Sequence, residues 1–244
     1  MKTNLPVYRL KHQGKRLARE RNMPLHAALD QIAVGEGFNN WGHLSDRHPG
    51  RAPDLSSVGE LYAQLARGDL VISAARPGQG KTLLALALAV EAMKCGHQAF
   101  FFSLDYTELD VAGRFRALGV NPGEVEDRFR FDGSEQISAG YILEKIRHVA
   151  EGTLVVVDYL QLLDQRRDNP DLLSQIGALR DFSAERGITT ICISQVWRSF
   201  DAAQQPFPTL ADIRLPNPLD LGLFTKACFL NDGKIRFEAI SSPG

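Results

Sequence analysis

Cysteine is scarce in this chain, and its three copies, Cys95, Cys192 and Cys228, lie far apart, each inside apolar sequence. That pattern predicts buried thiols in a reducing cytosol and argues against a disulfide framework or a structural zinc site. The six histidines are scattered, with no His-Glu-x-x-His or related spacing to hold a catalytic metal. Long hydrophobic runs are missing as well. The longest, Leu83 to Val90, falls far short of the ~20 residues that cross a bilayer, and the first residues carry no apolar stretch of a secretory signal. The expectation is a cytoplasmic protein without membrane contact. An excess of one charge is also absent, since 28 Lys and Arg face 29 Asp and Glu for a net charge of −1. The balance hides an asymmetry. Lys2, Arg9, Lys11, Lys15, Arg16, Arg19 and Arg21 stand against Glu20 alone in residues 1–22, leaving the remainder acidic. A basic arm on an acidic body fits contact with nucleic acid or another polyanion, and equally a solvated helix face.

What is present is organised in two parts. Residues 1–48 read as a small helical module: Leu10 and Leu17 share one face of a basic helix, and Leu25, Ala28, Leu29, Ile32 and Ala33 recur at helical spacing after Pro24. Gly35 and Gly37 end the second helix, and Trp41 and Leu44 can pack back onto the pair. Such a module binds DNA, docks a protein partner or serves as packing. Residues 49–57 are polar and carry prolines and a glycine, as a linker does. From residue 58 to 244, apolar strand-like runs alternate with amphipathic helices. This is the signature of an α/β fold with a mostly parallel sheet flanked by helices. Strands are predicted at Leu70 to Ala74, Ala99 to Leu104, Phe129 to Phe131, Leu154 to Val157, Ile188 to Ile193 and Leu223 to Leu230, with a closing hairpin through Asn231-Asp232-Gly233-Lys234.

Ligands of such sheets bind beyond the carboxyl ends of the strands, and the most telling residues lie there. Ala75-Arg76-Pro77-Gly78-Gln79-Gly80-Lys81-Thr82 follows one strand and opens a helix rich in Ala and Leu. Gly78 and Gly80 can take angles closed to other residues, so that backbone N–H groups turn inward around phosphate oxygens at the positive end of the helix. Lys81 then faces the terminal phosphates and Thr82 offers a hydroxyl to Mg²⁺, making ATP and Mg²⁺ the expected ligands. Asp158 ends a buried strand, as a second Mg²⁺-side carboxylate requires. Asp105 ends the strand expected beside the first, and reads either as the base that orients water or as the N-cap of a helix near Thr107. Gln195 can sense a γ-phosphate through its amide.

Five ordered blocks carry a family resemblance: Gly68 to Thr82, Phe102-Ser103-Leu104-Asp105, Asp158-Tyr159-Leu160-Gln161-Leu162, Ser194-Gln195-Val196-Trp197-Arg198-Ser199 and Leu210-Ala211-Asp212-Ile213-Arg214. From Gly68 to about Arg214 the chain resembles the RecA-like motor domain of DnaB-type replicative helicases, in which Ala75 is a normal variant of the first loop glycine. The resemblance implies a RecA-like P-loop NTPase, with Lys81, Asp105, Asp158 and Gln195 as its catalytic set. It also implies single-stranded DNA as a partner, contacted through Arg166, Arg167 and Arg198. Three departures stand out. The water-activating position, usually Glu, is Asp105. The finger arginine of the neighbouring subunit is missing from Lys226 to Gly233, leaving Lys226, Lys234 or Arg236 to substitute. The large N-terminal collar is replaced by the basic module, which predicts weak or nucleotide-dependent self-association and a possible protein partner there. The leading reading is therefore a DNA-acting ATPase of the DnaB-like group. The alternatives are a slow, nucleotide-dependent regulatory or loader-type module, favoured by the altered Asp105 and missing finger, and a small-molecule kinase, disfavoured by the lack of an Arg-rich lid.

Overall fold

A computed structural model describes residues 7–37, 41, 44, 52–164, 169–197, 199–200, 205–215 and 217–240. Two hydrophobic cores organise them. The smaller joins Leu10 on α1 (Val7–Arg21), Leu29 and Ala33 on α2 (Leu25–Gly35), and Trp41 and Leu44, as the apolar spacing predicts. Leu17 is only half-buried, and Gly14 takes the buried place on α1 instead. The helices cross so closely there that a β-carbon on Gly14 would come within 2.6 Å of Leu29 Cδ2.

The larger core surrounds a seven-stranded sheet, ordered β3-β2-β4-β5-β1-β6-β7. Its strands are β1 (Leu70–Ala75), β2 (Ala99–Ser103), β3 (Phe129–Asp132), β4 (Leu154–Asp158), β5 (Thr189–Gln195), β6 (Lys226–Asn231) and β7 (Lys234–Ala239). Every pairing is parallel except β6 with β7. The central strands β1 and β4 are buried along their whole length, which is why they read as unbroken apolar runs, whereas the edge strands β3 and β7 are half-exposed. The β6–β7 connection is the expected tight hairpin, with Asp232 and Gly233 both at positive φ. One expectation fails: β2 is not beside β1, because β5 and β4 lie between them. The crossover through α4 (Lys81–Lys94) passes over two places that later strands fill.

Short α3 (Val58–Ala63) precedes the sheet, and α5 (Glu108–Ala117), α6 (Ala139–Lys145) and α7 (Leu172–Arg186) follow between later strands. Ten residues of α4 are buried, including Lys81 at its first position. Gln175 on α7 is 2 % exposed. It accepts from Ala139 N–H at 3.0 Å and donates to the carbonyls of Leu163 at 2.7 Å and Pro170 at 2.8 Å, fixing the segment that follows β4. Gln175→Leu strands those three backbone groups, so chemical denaturation should show a loss of ~2–3 kcal/mol. The thiols of Cys192 and Cys228 are buried as expected, and burial pushes both up to about 12. Cys95 is exposed, contrary to expectation, because it caps the C-terminus of α4 after the last buried turn. Among the described residues no helix is long and apolar enough to cross a membrane.

Candidate active site

The carboxyl edge of the sheet gathers most of the residues singled out from sequence. β1 runs into the loop Arg76 to Gly80, whose first three residues are exposed, and Gly78 and Gly80 adopt φ of 81° and 80°. Gly80 is the N-cap of α4 in the left-handed region, which turns the loop's amides toward the helix start. Lys81 Nζ donates to the carbonyls of Ala75 and Arg76, each at 3.0 Å, and so folds back over the loop. Neighbouring segments brace the outside. Gln79 Oε1 accepts from Asp232 N–H at 2.8 Å, Arg76 donates to the Phe200 carbonyl at 3.4 Å, and the buried Pro53 packs against Gly80.

Thr82 and Asp158 meet directly, the hydroxyl donating to Asp158 Oδ2 at 2.8 Å, with Tyr106 OH at 3.3 Å from the same hydroxyl. These hard oxygens, beside a phosphate-shaped loop, fit an ion such as Mg²⁺ that takes part of its shell from phosphate and water. Among the described residues no group of three or more His, Cys, Asp or Glu is placed to hold a metal without such help. Burial, with the nearby charge of Asp105, raises the Asp158 carboxyl to about 6 against the opposing pull of Thr82, Lys81 and Lys11. Burial likewise lowers Lys81 to about 8, an effect that Asp158 opposes and Lys11 reinforces. A site that strains an anion and a cation in this way is prepared for ligands carrying compensating charge.

Asp105 follows β2, and Ser103 pairs with Asp158 across the β2–β4 ladder, so the two carboxylates share one edge although β2 is remote from β1. Asp105 is not the helix cap: Thr107 caps α5 through a reciprocal capping box with Asp110. Its partner is instead Lys11 of α1, Nζ to Oδ2 at 2.6 Å, and the other oxygen, Oδ1, is buried without a hydrogen bond. Lys11 also lies over the Tyr159 ring, 5.1 Å from its centroid. Burial would lower the Lys11 ammonium, but Asp105, Tyr159 and Tyr106 outweigh it and hold its pKa above that of an ordinary lysine. Sequence reasoning missed Lys11, which was only one cation among seven in the arm.

Gln195 ends β5 opposite Ala75, and its carbonyl accepts from Arg214 N–H at 2.7 Å. Trp197 is 46 % exposed, with the Arg214 guanidinium 5.6 Å from its ring centroid. Arg166, Arg167 and Arg198 lie outside the described residues. Of the three substitutes for a finger, Lys226 sits at the opposite edge of the sheet, bonded to Asp69 and the Gln64 carbonyl. Arg236 is held by the Pro208 carbonyl and Glu238 between the rings of Phe207 and Phe229. Lys234 is the exposed one, next to the hairpin turn that touches the loop.

Residues 52–127 and 124–217 match the family described as the DnaB-like helicase C terminal domain. A probable plasmid replicative DNA helicase of Chlamydia trachomatis is 26% identical, over 83% of this chain and 53% of its own length. The replicative DNA helicase DnaB of Geobacillus stearothermophilus is 28% identical, over 66% of this chain and 42% of its own. The chain thus spans about half the length of these relatives. A solved structure of an ATPase domain shares the fold, with a TM-score of 0.56 at 22% identity, covering 81% of this chain and 80% of that one. The matched span contains the loop, both carboxylates and Gln195, and the chain belongs to the DnaB-like helicase C-terminal domain family.

Proposed function

We propose that this protein binds and hydrolyses ATP with Mg²⁺ and couples turnover to single-stranded DNA, as a helicase-type motor. The observation that carries this reading is the 2.8 Å bond between Thr82 and Asp158 at the mouth of the loop, which brings together the two expected Mg²⁺-side oxygens. The loop amides and Lys81 would hold the phosphates. Bound Mg²⁺ would neutralise charge on the phosphate oxygens. Asp105 would orient the attacking water, and Gln195, beside Ala75, would register the γ-phosphate. Residues 1–48 act as a separate basic module, joined through 49–57 to the ATPase domain 58–244. Support comes from the separate core of α1, α2, Trp41 and Leu44. Self-association, where it occurs, depends on nucleotide, and of Lys226, Lys234 and Arg236 the exposed Lys234 is the cation offered to a neighbouring site.

The test is ATP turnover with and without oligodeoxythymidylate. A motor is stimulated by its track, so the rate is expected to rise at least severalfold. An unchanged rate, with ATP still bound, would reduce the protein to a nucleotide switch. Deleting residues 1–22 should also flatten the salt dependence of DNA binding, because it removes the seven cations of the basic arm. Identical salt slopes would assign those cations another partner.

A further inference from the structure

The contact between Lys11 and Asp105 has no place in the hydrolytic scheme above. It is a hydrogen-bonded ion pair linking residues 94 positions apart, with side chains only 20% and 14% exposed. The ammonium occupies one oxygen of the carboxylate proposed to hold water. While it stays, Oδ2 is engaged by the ammonium and part of the carboxylate's charge is offset. Lys11 is also the first of a row: Lys11, Lys15 and Arg19 are spaced four apart and share a face of α1. The row continues off the helix. Partial burial, and after it the like charges of Lys11, Arg214 and Arg19, lower the pKa of Lys15 against the pull of Asp105. Lys15, Arg19 and Arg214 are exposed and, among the described residues, make no ion pair. Arg214 leads to the half-exposed ring of Trp197. Cations within electrostatic range of one another, ending at a half-exposed aromatic ring, suit a single-stranded nucleic acid, with phosphates along the cations and a base on the ring.

We propose that Lys11 is a latch in cis, which blocks Asp105 in the resting chain and is drawn away when a nucleic-acid strand binds Lys15, Arg19, Arg214 and Trp197. Lys11 lies one helical turn from Lys15, so phosphates neutralising the row compete with Asp105 for the same ammonium. Strand binding then frees the carboxylate. This deepens the proposed function, on which its catalytic consequence rests, by giving DNA stimulation a route inside one chain.

The latch is tested without nucleotide, so that its failure and the failure of the ATPase reading are separable. Anisotropy of a fluorescein-labelled oligodeoxythymidylate, at fixed salt, gives the affinity of the full chain, of Asp105→Asn, of Lys11→Met and of the double variant. Asp105→Asn changes neither size nor shape and breaks the latch from its far side. It should tighten binding about fivefold, the worth of one partly buried ion pair. In the Lys11→Met background the same change should give no gain, because no ammonium remains to be released. An absent gain in the first background, an equal gain in both, or no binding of the strand at all would overturn the latch. An equal gain would mean that Asp105 merely repels the strand. A second readout uses turnover: Lys11→Met should raise the basal rate severalfold and largely remove stimulation by DNA. A basal rate that falls would make Lys11 a participant in hydrolysis and would likewise overturn the proposal.

Discussion

Lys81→Ala abolishes ATP turnover, with an expected fall of at least ~10²-fold, and leaves the chain folded. The ammonium is the cation at the head of α4 and faces the loop rather than the apolar interior, so its loss removes charge stabilisation of the terminal phosphates. Two effects on the resting fold oppose each other. The variant gives up two hydrogen bonds to the carbonyls of Ala75 and Arg76, but it also relieves a buried cation whose pKa has been pushed down to about 8. Thermal unfolding without nucleotide should therefore shift by only a few degrees (~1 kcal/mol). With saturating Mg·ATP, the native chain should gain several degrees by ligand linkage and the variant almost none. Wild-type turnover in a well-folded Lys81→Ala protein would remove the loop from the active site.

Asp158→Asn should separate stability from activity in the opposite sense. The carboxyl is 4% exposed, and burial together with Asp105 raises it to about 6 from an ordinary 3.8. A carboxyl whose folded pKa lies above its unfolded one is charged at a cost in the native state. Its penalty is full above pH 6 and disappears as the pH falls from about 6 toward 3.8. The amide carries no such penalty and can still accept from the Thr82 hydroxyl. At pH 7.5 the variant is therefore expected to be more stable by on the order of 2 kcal/mol, with the gain fading by pH 4. Turnover should fall ~10²-fold or more, because a neutral amide is a poor member of a Mg²⁺ shell. Denaturant melts at the two pH values, beside a steady-state rate, check both halves. Lower stability at pH 7.5 would show that Asp158 supports the fold more than it strains it. A site that weakens its own resting structure to hold charge for a ligand follows the usual exchange of stability for function.

How much was legible in the sequence depended on the distance over which each feature is decided. The loop, its two positive-φ glycines and the helix it opens form one continuous segment, so residue types alone specify them. The same holds for the hairpin, where Asp232 and Gly233 can take the angles the turn needs. Asp105 had two local readings, water-orienting base or helix cap. The structure removes the second, since Thr107 and Asp110 cap α5 between themselves two residues further on. Cys95 misled because it ends an apolar run, while burial at a helix terminus depends on what lies beyond the last turn.

From its sequence alone, this protein could be assigned a phosphate-binding loop, two strand-ending carboxylates, a mostly parallel sheet and a basic amino-terminal helix, because each rests on local backbone preference or on periodic burial. Strand order was not so encoded. Whether β2 lies beside β1 or across the sheet beside β4 depends on which later strands fill the gap, and only the packed sheet decides that. The partner of Asp105 is of the same kind: seven cations in residues 1–22 were equivalent candidates, and the docking of α1 on the carboxyl edge selected Lys11. Ion pairs are strong only where both groups are close and shielded from water, and closeness between residues 94 apart is a property of the folded chain, not of its sequence pattern.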